Sequence, residues 1–163
     1  VIHPEVYKLS LAASPHIAAR SDNIKIDLSL IIEKYRQLAT GNWQLPTANR
    51  QLIIEGAGGL MVPLNENEFV IDLIQKLNAK VILVSRNYLG SINHSLLTAA
   101  VCKQKKLNVM GWIFNDQDMN YEDEIVQWSG FSKICSIPFA EAVTKEFIKK
   151  EADKIKESLQ KLL

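Results

Sequence analysis

The sequence predicts an α/β protein built on a mainly parallel sheet flanked by helices. Three observations carry that expectation: four short apolar runs of strand length, amphipathic stretches at helical spacing, and Gly, Asn or Pro where one gives way to the next. The runs lie at 51–55, 80–85, 109–114 and 134–137, the first two reading as buried strands and the last stopped by Pro138.

The helical stretches fall around these runs. Residues 26–38 place Leu28, Ile31, Ile32, Tyr35 and Leu38 on one face. Residues 69–78 do so with Phe69, Val70, Leu73, Ile74 and Leu77, and residues 91–106 with Ile92, Leu96, Ala99 and Ala100. A short helix is expected at 122–128, and a final amphipathic one at 144–163 carries Phe147, Ile148, Ile155, Leu159 and Leu162. Ser14 followed by Pro15 reads as a helix start, with Ser14 as N-cap and Pro15 in the first turn. Strands joined through helices imply right-handed crossovers, with ligands at the carboxyl ends of the strands. A chain of 163 residues is expected to form a single domain over 1–163, and 42–50, with Pro46, is a connection rather than a linker.

Composition narrows the function classes. The chain is 47% hydrophobic and 23% charged, and 19 basic against 18 acidic side chains leave a net charge of +1. With no basic stripe, neither nucleic acid nor an anionic membrane is expected as a partner. No apolar run approaches the roughly 20 residues that span a bilayer. Cys102 and Cys135 lack metal-ligand spacing and read as buried free thiols, which fits a reducing cytoplasm.

Three segments follow strand-like runs and offer chemistry. Glu55-Gly56-Ala57-Gly58-Gly59 sets a carboxylate where a magnesium ion or phosphates would sit, with glycines that let backbone N–H groups approach an anion. A tight turn with a solvated Glu55 accounts for the same residues equally well. Asn87-Tyr88-Leu89-Gly90-Ser91-Ile92-Asn93-His94 leads into a helix, with Gly90 in the turn and Ser91 as cap, so a substrate carboxylate could meet the helix N-terminus there. Taken alone, an ordinary cap explains it better, and His94 reads as a packed or capping histidine. Trp112-Ile113-Phe114-Asn115-Asp116 ends a strand in an amide able to read a base edge, but Asx residues also start turns, and in isolation the turn reading wins. Phe139, after Pro138, can flank a base or pack.

In this order, the segments Ser14–Ala19, Glu55–Leu64, Leu89–His94, Gly111–Asp116 and Ile137-Pro138 resemble the dethiobiotin synthetase family. The resemblance runs to about Phe139, and its most specific part is the Glu55–Leu64 stretch. It implies a P-loop NTPase-like three-layer sandwich whose first strands are missing from this chain. It also implies an ATP-dependent cyclo-ligase of biotin synthesis that closes a ureido ring on 7,8-diaminopelargonic acid with carbon dioxide, ATP and Mg2+, in a cytoplasmic homodimer.

The same resemblance assigns roles. Glu55 would bind magnesium, and Glu55, Gly56, Ala57 and Gly58 would line the nucleotide and substrate cleft. Asn115 would read adenine with Asp116 beside it, and Pro138, Phe139 and Ala140 would border the base. Gly90, Ser91 and Asn93 would hold the substrate carboxylate across a dimer interface, with Tyr121 as a weaker match to a tyrosine that assists there.

One departure is large. The Walker A pattern G-x-x-x-x-G-K-S/T needs a Gly-Lys pair, and the sequence contains none. The phosphate loop, the lysine expected to act on the carbamate and a metal-binding aspartate are therefore outside this chain, no catalytic residue is assigned within it, and the chain alone is expected to bind ATP weakly. Two other readings compete. An amidating synthetase of the same superfamily is disfavoured by Ser91-Ile92-Asn93, and a non-catalytic module is favoured by the missing loop but disfavoured by Glu55 and Asn115-Asp116.

Overall fold

The computed structural model describes residues 3, 5–40, 52–56, 58–116 and 121–160. Ala57, Gln51, the connection at 42–50 and Leu162 lie outside the described residues. The chain forms two compact units, Val1–Ala79 and Lys80–Leu163.

The first unit carries three helices, α1 (Pro15–Ser21), α2 (Leu28–Thr40) and α3 (Val70–Leu77). Ser14 is the N-cap of α1 and Pro15 its first residue, as expected, but the Ser14 hydroxyl bonds to His16 Nδ1 at 3.0 Å instead of to a backbone N–H. Helix α2 starts two residues later than the apolar pattern suggests. Asp27 explains the delay, because its Oδ1 accepts from the Ser29 amide at 2.8 Å and from the Ser29 hydroxyl at 2.6 Å. Ala19, Ile26 and Leu28 form the core of this unit, packed by Tyr7, Leu9, Ile31, Leu64 and Leu73.

The run at 52–55, expected to be a buried strand, is neither a strand nor buried. Residues 52–56 have no regular structure, and Leu52, Ile53 and Ile54 are 40%, 93% and 50% exposed. Apolar sequence makes a strand only where a ladder partner takes its N–H and C=O groups, and none does so among the described residues.

The second unit alternates strands and helices without interruption: β1 (Lys80–Arg86), α4 (Ser91–Gln104), β2 (Asn108–Asn115), α5 (Glu122–Ser129), β3 (Lys133–Ile137) and α6 (Lys145–Gln160). The strands pair in parallel in the order β1-β2-β3. This is the α/β class expected from the alternation, a parallel sheet flanked by helices. Strand β1 is not the fully buried strand anticipated. Val81, Leu83 and Ser85 face inward while Ile82 and Val84 are exposed, the period-2 alternation of a half-covered sheet.

Central strand β2 supplies the largest buried groups. Trp112 and Phe114 stack with ring centroids 5.8 Å apart, and the indole N–H donates to Ser129 Oγ at 2.9 Å. Truncating a fully buried Phe such as Phe114 to Ala costs about 3–5 kcal/mol. The register against β1 slips by one residue, pairing Val81 with Val109 and Ile82 with Gly111, so Met110 bulges. Gly111 permits this at φ +151°, where a Cβ would stand 2.5 Å from Ser132 O.

Helix α4 buries Ser91, Ser95, Ala99 and Cys102; of the face expected, Ala99 is buried, Ile92 and Leu96 are half-buried and Ala100 is exposed. Small side chains let it approach the sheet closely, and Ser95 Oγ hydrogen-bonds Ser85 Oγ of β1 at 2.9 Å. Helix α6 packs on β3. The Thr144 hydroxyl caps its start, accepting from the Phe147 amide at 3.2 Å.

Candidate functional site

The carboxyl ends of β1, β2 and β3 open into a cleft of ≈ 530 Å³ whose other wall is α6. Arg86, Asn115 and Asp116 stand at the strand ends, Ile137, Pro138, Phe139 and Ala140 continue from β3, and Phe147, Ile148 and Ile155 come from α6. A parallel sheet places its ligand site here because the strand-to-helix loops diverge at this edge. The wall is mostly apolar, as a planar base requires, and its charged and amide groups are Arg86, Asn115 and Asp116 at the strand ends and Glu151 on α6.

Five residues singled out from the sequence, Asn115, Asp116, Pro138, Phe139 and Ala140, thus line one cleft. Phe139 is 61% exposed, so its ring is accessible rather than packed away. Asp116 adopts φ +58°, a left-handed conformation that Asp tolerates, and its carboxylate lies 2.5 Å from Arg86 Nε. Arg86 carries no signal of its own in the sequence, where it merely follows the apolar run at 80–85.

A second group of predicted residues meets at the start of α4. Gly90, not Ser91, is the N-cap, at φ +99°, a conformation that requires glycine. Ser91 is instead the first helical residue and is 1% exposed. Its hydroxyl donates to the Tyr121 hydroxyl at 3.1 Å, and the Tyr121 hydroxyl donates to the Tyr88 carbonyl oxygen. With glycine at the cap, no side chain hydrogen-bonds the first turn of α4, where the Ser91 amide donates to the Tyr88 carbonyl oxygen at 2.9 Å. Asn93 is exposed on that turn. His94, expected to pack or cap, is exposed and shares a 2.5 Å hydrogen bond with the Tyr88 hydroxyl.

In the first unit, Glu55 and Gly56 are exposed in the irregular segment 52–56. Gly58 turns at φ +82°, and a Cβ there would strike Val62 Cγ2 at 2.7 Å. The chain then folds back onto α3. The Leu60 and Val62 carbonyls accept from the Ile71 and Val70 amides at 2.9 and 3.0 Å, and the Phe69 amide donates to Asp72 Oδ2 at 2.7 Å. These bonds satisfy the free donors of α3 and fix the loop downstream of Gly58. Ala57 lies outside the described residues.

A polar network has almost no signature in the sequence. Glu122 opens α5, is 3% exposed and accepts from Asn87, Lys133 and Ser136. Its neighbours Asp123 and Glu124 make it look like one of three solvated acids at a helix start. The sole hint is Asn87, a polar residue just past an apolar strand.

Both thiols are held up by burial, Cys102 to about 11, while the half-buried Cys135 is also raised by the charges of Glu122 and Glu151. Among the described residues no helix is long and apolar enough to cross a membrane.

Known proteins place this arrangement. The AAA domain family model matches residues 1–147, which makes the chain an α/β protein of the P-loop NTPase class. The chain is 44% identical over 158 residues to the ATP-dependent dethiobiotin synthetase BioD of Cytophaga hutchinsonii, covering 95% of this chain and 70% of that protein. It is 37% identical over 116 residues to the protein of the same name in Paramagnetospirillum magneticum, covering 71% of this chain and 51% of the relative. Against the one from Lawsonia intracellularis it is 37% identical over 145 residues, covering 88% and 65%. The chain belongs to the dethiobiotin synthetase family and spans between about half and 70% of the length of these relatives.

Proposed function

We propose that the protein carrying this chain is an ATP-dependent dethiobiotin synthase, closing the ureido ring of dethiobiotin from 7,8-diaminopelargonic acid, carbon dioxide and ATP. One substrate amine adds to carbon dioxide to give a carbamate. The carbamate oxygen takes the γ-phosphoryl group, releasing ADP, and the second amine attacks the carbonyl carbon, expelling phosphate and closing the ring. A protein serves such a reaction chiefly by positioning and by balancing charge.

The observation that carries the reading is the cleft that brings Asn115 and Asp116 together with Pro138, Phe139 and Ala140. In it the Asn115 amide reads the adenine edge while Pro138, Phe139 and Ala140 border the ring. The start of α4 holds the substrate carboxylate: Gly90 leaves the first turn without a side-chain cap, and the exposed Asn93 amide donates. Ser91 and Tyr121, whose hydroxyls are bonded to each other and to the Tyr88 carbonyl, turn a donor toward the carboxylate as it binds. Glu55 fits a magnesium ion to the extent of one exposed hard-oxygen ligand beside glycines, which suffices for an ion that keeps most of its waters. Bound there, the ion would neutralise phosphate charge, and the Gly56-Ala57-Gly58 sequence would suit close backbone approach to the nucleotide.

We further propose a cytoplasmic homodimer. Leu89 is 87% exposed directly before Gly90, an apolar group that a second copy would cover at the carboxylate site. The free thiols Cys102 and Cys135 are consistent with a reducing compartment.

The test is ring closure by the full-length protein given diaminopelargonic acid, bicarbonate, ATP and Mg2+. Dethiobiotin forming with one ADP per ring, and falling at least tenfold in Glu55→Ala, supports the assignment. No product, or an unaffected variant, refutes it.

A further inference from the structure

The Glu122 network takes no part in the roles assigned above, yet it holds the most deeply buried carboxylate among the described residues of the second unit. Oε1 accepts from Asn87 Nδ2 at 3.2 Å, and Oε2 accepts from Lys133 Nζ at 3.1 Å and from the Ser136 hydroxyl. A carboxylate 3% exposed persists only where its partners offset the lost hydration. Those partners arrive from separate segments. Asn87 follows β1, Lys133 begins β3, and Ser136 lies one residue before the end of β3. Glu122 therefore ties the first residue of α5 to the ends of two strands.

The residue immediately before it is Tyr121, the N-cap of α5, whose hydroxyl meets Ser91 Oγ and the Tyr88 carbonyl oxygen. One trans peptide, about 3.8 Å between Cα atoms, separates the anchored Glu122 from Tyr121, so the anchor leaves the tyrosine little slack. Asn87 reinforces this from the other side, with its backbone N–H donating to Asn115 O at 3.0 Å.

We propose that Glu122 is a positioning residue for the carboxylate-binding start of α4, fixing the Tyr121 hydroxyl against Ser91. The inference rests on the function proposed for that site. Glu122 touches no reactant; it acts through Tyr121, and its effect falls on the amine substrate rather than on ATP. A purely stabilising role would instead lower the melting temperature without separating the two substrates.

The experiment uses full-length protein with Glu122→Gln, Ser136→Ala, Tyr121→Phe and the double variant Tyr121→Phe/Glu122→Gln. Glu122→Gln keeps the shape and loses the charge that holds Lys133, and Ser136→Ala keeps the charge and loses one donor. Each is expected to raise KM for diaminopelargonic acid by about 3- to 20-fold while KM for ATP stays within about twofold. Adding Glu122→Gln to Tyr121→Phe is expected to change KM by less than about twofold, because both act through one hydroxyl. Equal rises in both KM values, a loss confined to kcat, multiplicative effects in the double variant, or no change would each overturn the proposal. Should Glu122→Gln fail to fold, Ser136→Ala carries the same test. Calorimetry of diaminopelargonic acid without ATP separates this inference from the proposed activity. Binding that Glu122→Gln weakens sustains it even if no ring closes; equal binding by both proteins overturns it, and no binding by the wild type overturns it together with the carboxylate site.

Discussion

At the mouth of the cleft, Arg86 Nε stands 2.5 Å from Asp116 Oδ2. The pair occupies Oδ2 and competes with any hydrogen bond that a guanine edge would donate to this carboxylate; in the proposed site the Asn115 amide reads the base. Arg86→Gln frees the carboxylate. The ATP-over-GTP preference in kcat/KM is expected to narrow by about 3- to 10-fold, within the range that one hydrogen-bonded base edge commands. Because the Arg86 side chain is 71% exposed, stability should change by less than about 1 kcal/mol. An unchanged nucleotide preference would remove the pair from base selection.

Asn115 itself is the sharper probe. Asn115→Ala deletes the amide while leaving the apolar walls in place. KM for ATP should rise by about 5- to 100-fold, and KM for diaminopelargonic acid should stay within about twofold. Parallel rises would mean that the substitution disturbs the whole strand end instead of removing a hydrogen bond to adenine.

Two glycines separate strain from collision. A Cβ on Gly90, at φ +99°, meets nothing within 4 Å, so Gly90→Ala carries only left-handed strain, about 1–2 kcal/mol. A Cβ on Gly111 would also press on Ser132 O at 2.5 Å and Ile134 Cγ1 at 2.9 Å. Gly111→Ala should therefore destabilise by roughly 2–4 kcal/mol, and urea unfolding should rank it below Gly90→Ala. The reverse ranking would contradict the bulge at Met110.

The structure makes the sequence signals intelligible, along with their failures. Strands β1, β2 and β3 are readable because apolar runs there are punctuated by Gly90, Asp116 and Pro138, and each finds a parallel neighbour. The run through Leu52, Ile53 and Ile54 looks the same in sequence, but apolarity names no partner, and the segment stays exposed. On α4 the buried face is made of Ser91, Ser95, Ala99 and Cys102, so close packing by small residues hides it behind the larger Ile92 and Leu96. Asn115, Asp116 and Pro138 are legible as strand-end residues. Glu122 is not, since a buried carboxylate and a solvated helix-start acid share one spelling.

Burial of Cys102 gives the protein an alkaline signature. The thiol is raised from its ordinary 9.0 to about 11, so the folded state favours the neutral form. The stabilisation is complete below about pH 9, where unfolded and folded thiols are both protonated, and is lost as pH rises through 11. The urea midpoint of the wild type, compared with Cys102→Ala, should hold a constant offset from pH 7 to 9 and converge toward the variant between 9 and 11. At pH 8 a thiol reagent should modify the half-buried Cys135 well before Cys102. Equal rates would contradict the burial of Cys102.

The most direct measurement is photolabelling of the full-length protein with 8-azidoadenosine triphosphate, followed by peptide mapping. If the cleft between the β2 and β3 ends and α6 holds adenine, the label falls on Ile137–Ala140 or on α6 near Phe147–Ile155, and excess ATP prevents it. Label that ATP displaces from some other segment, with these two untouched, would contradict the account.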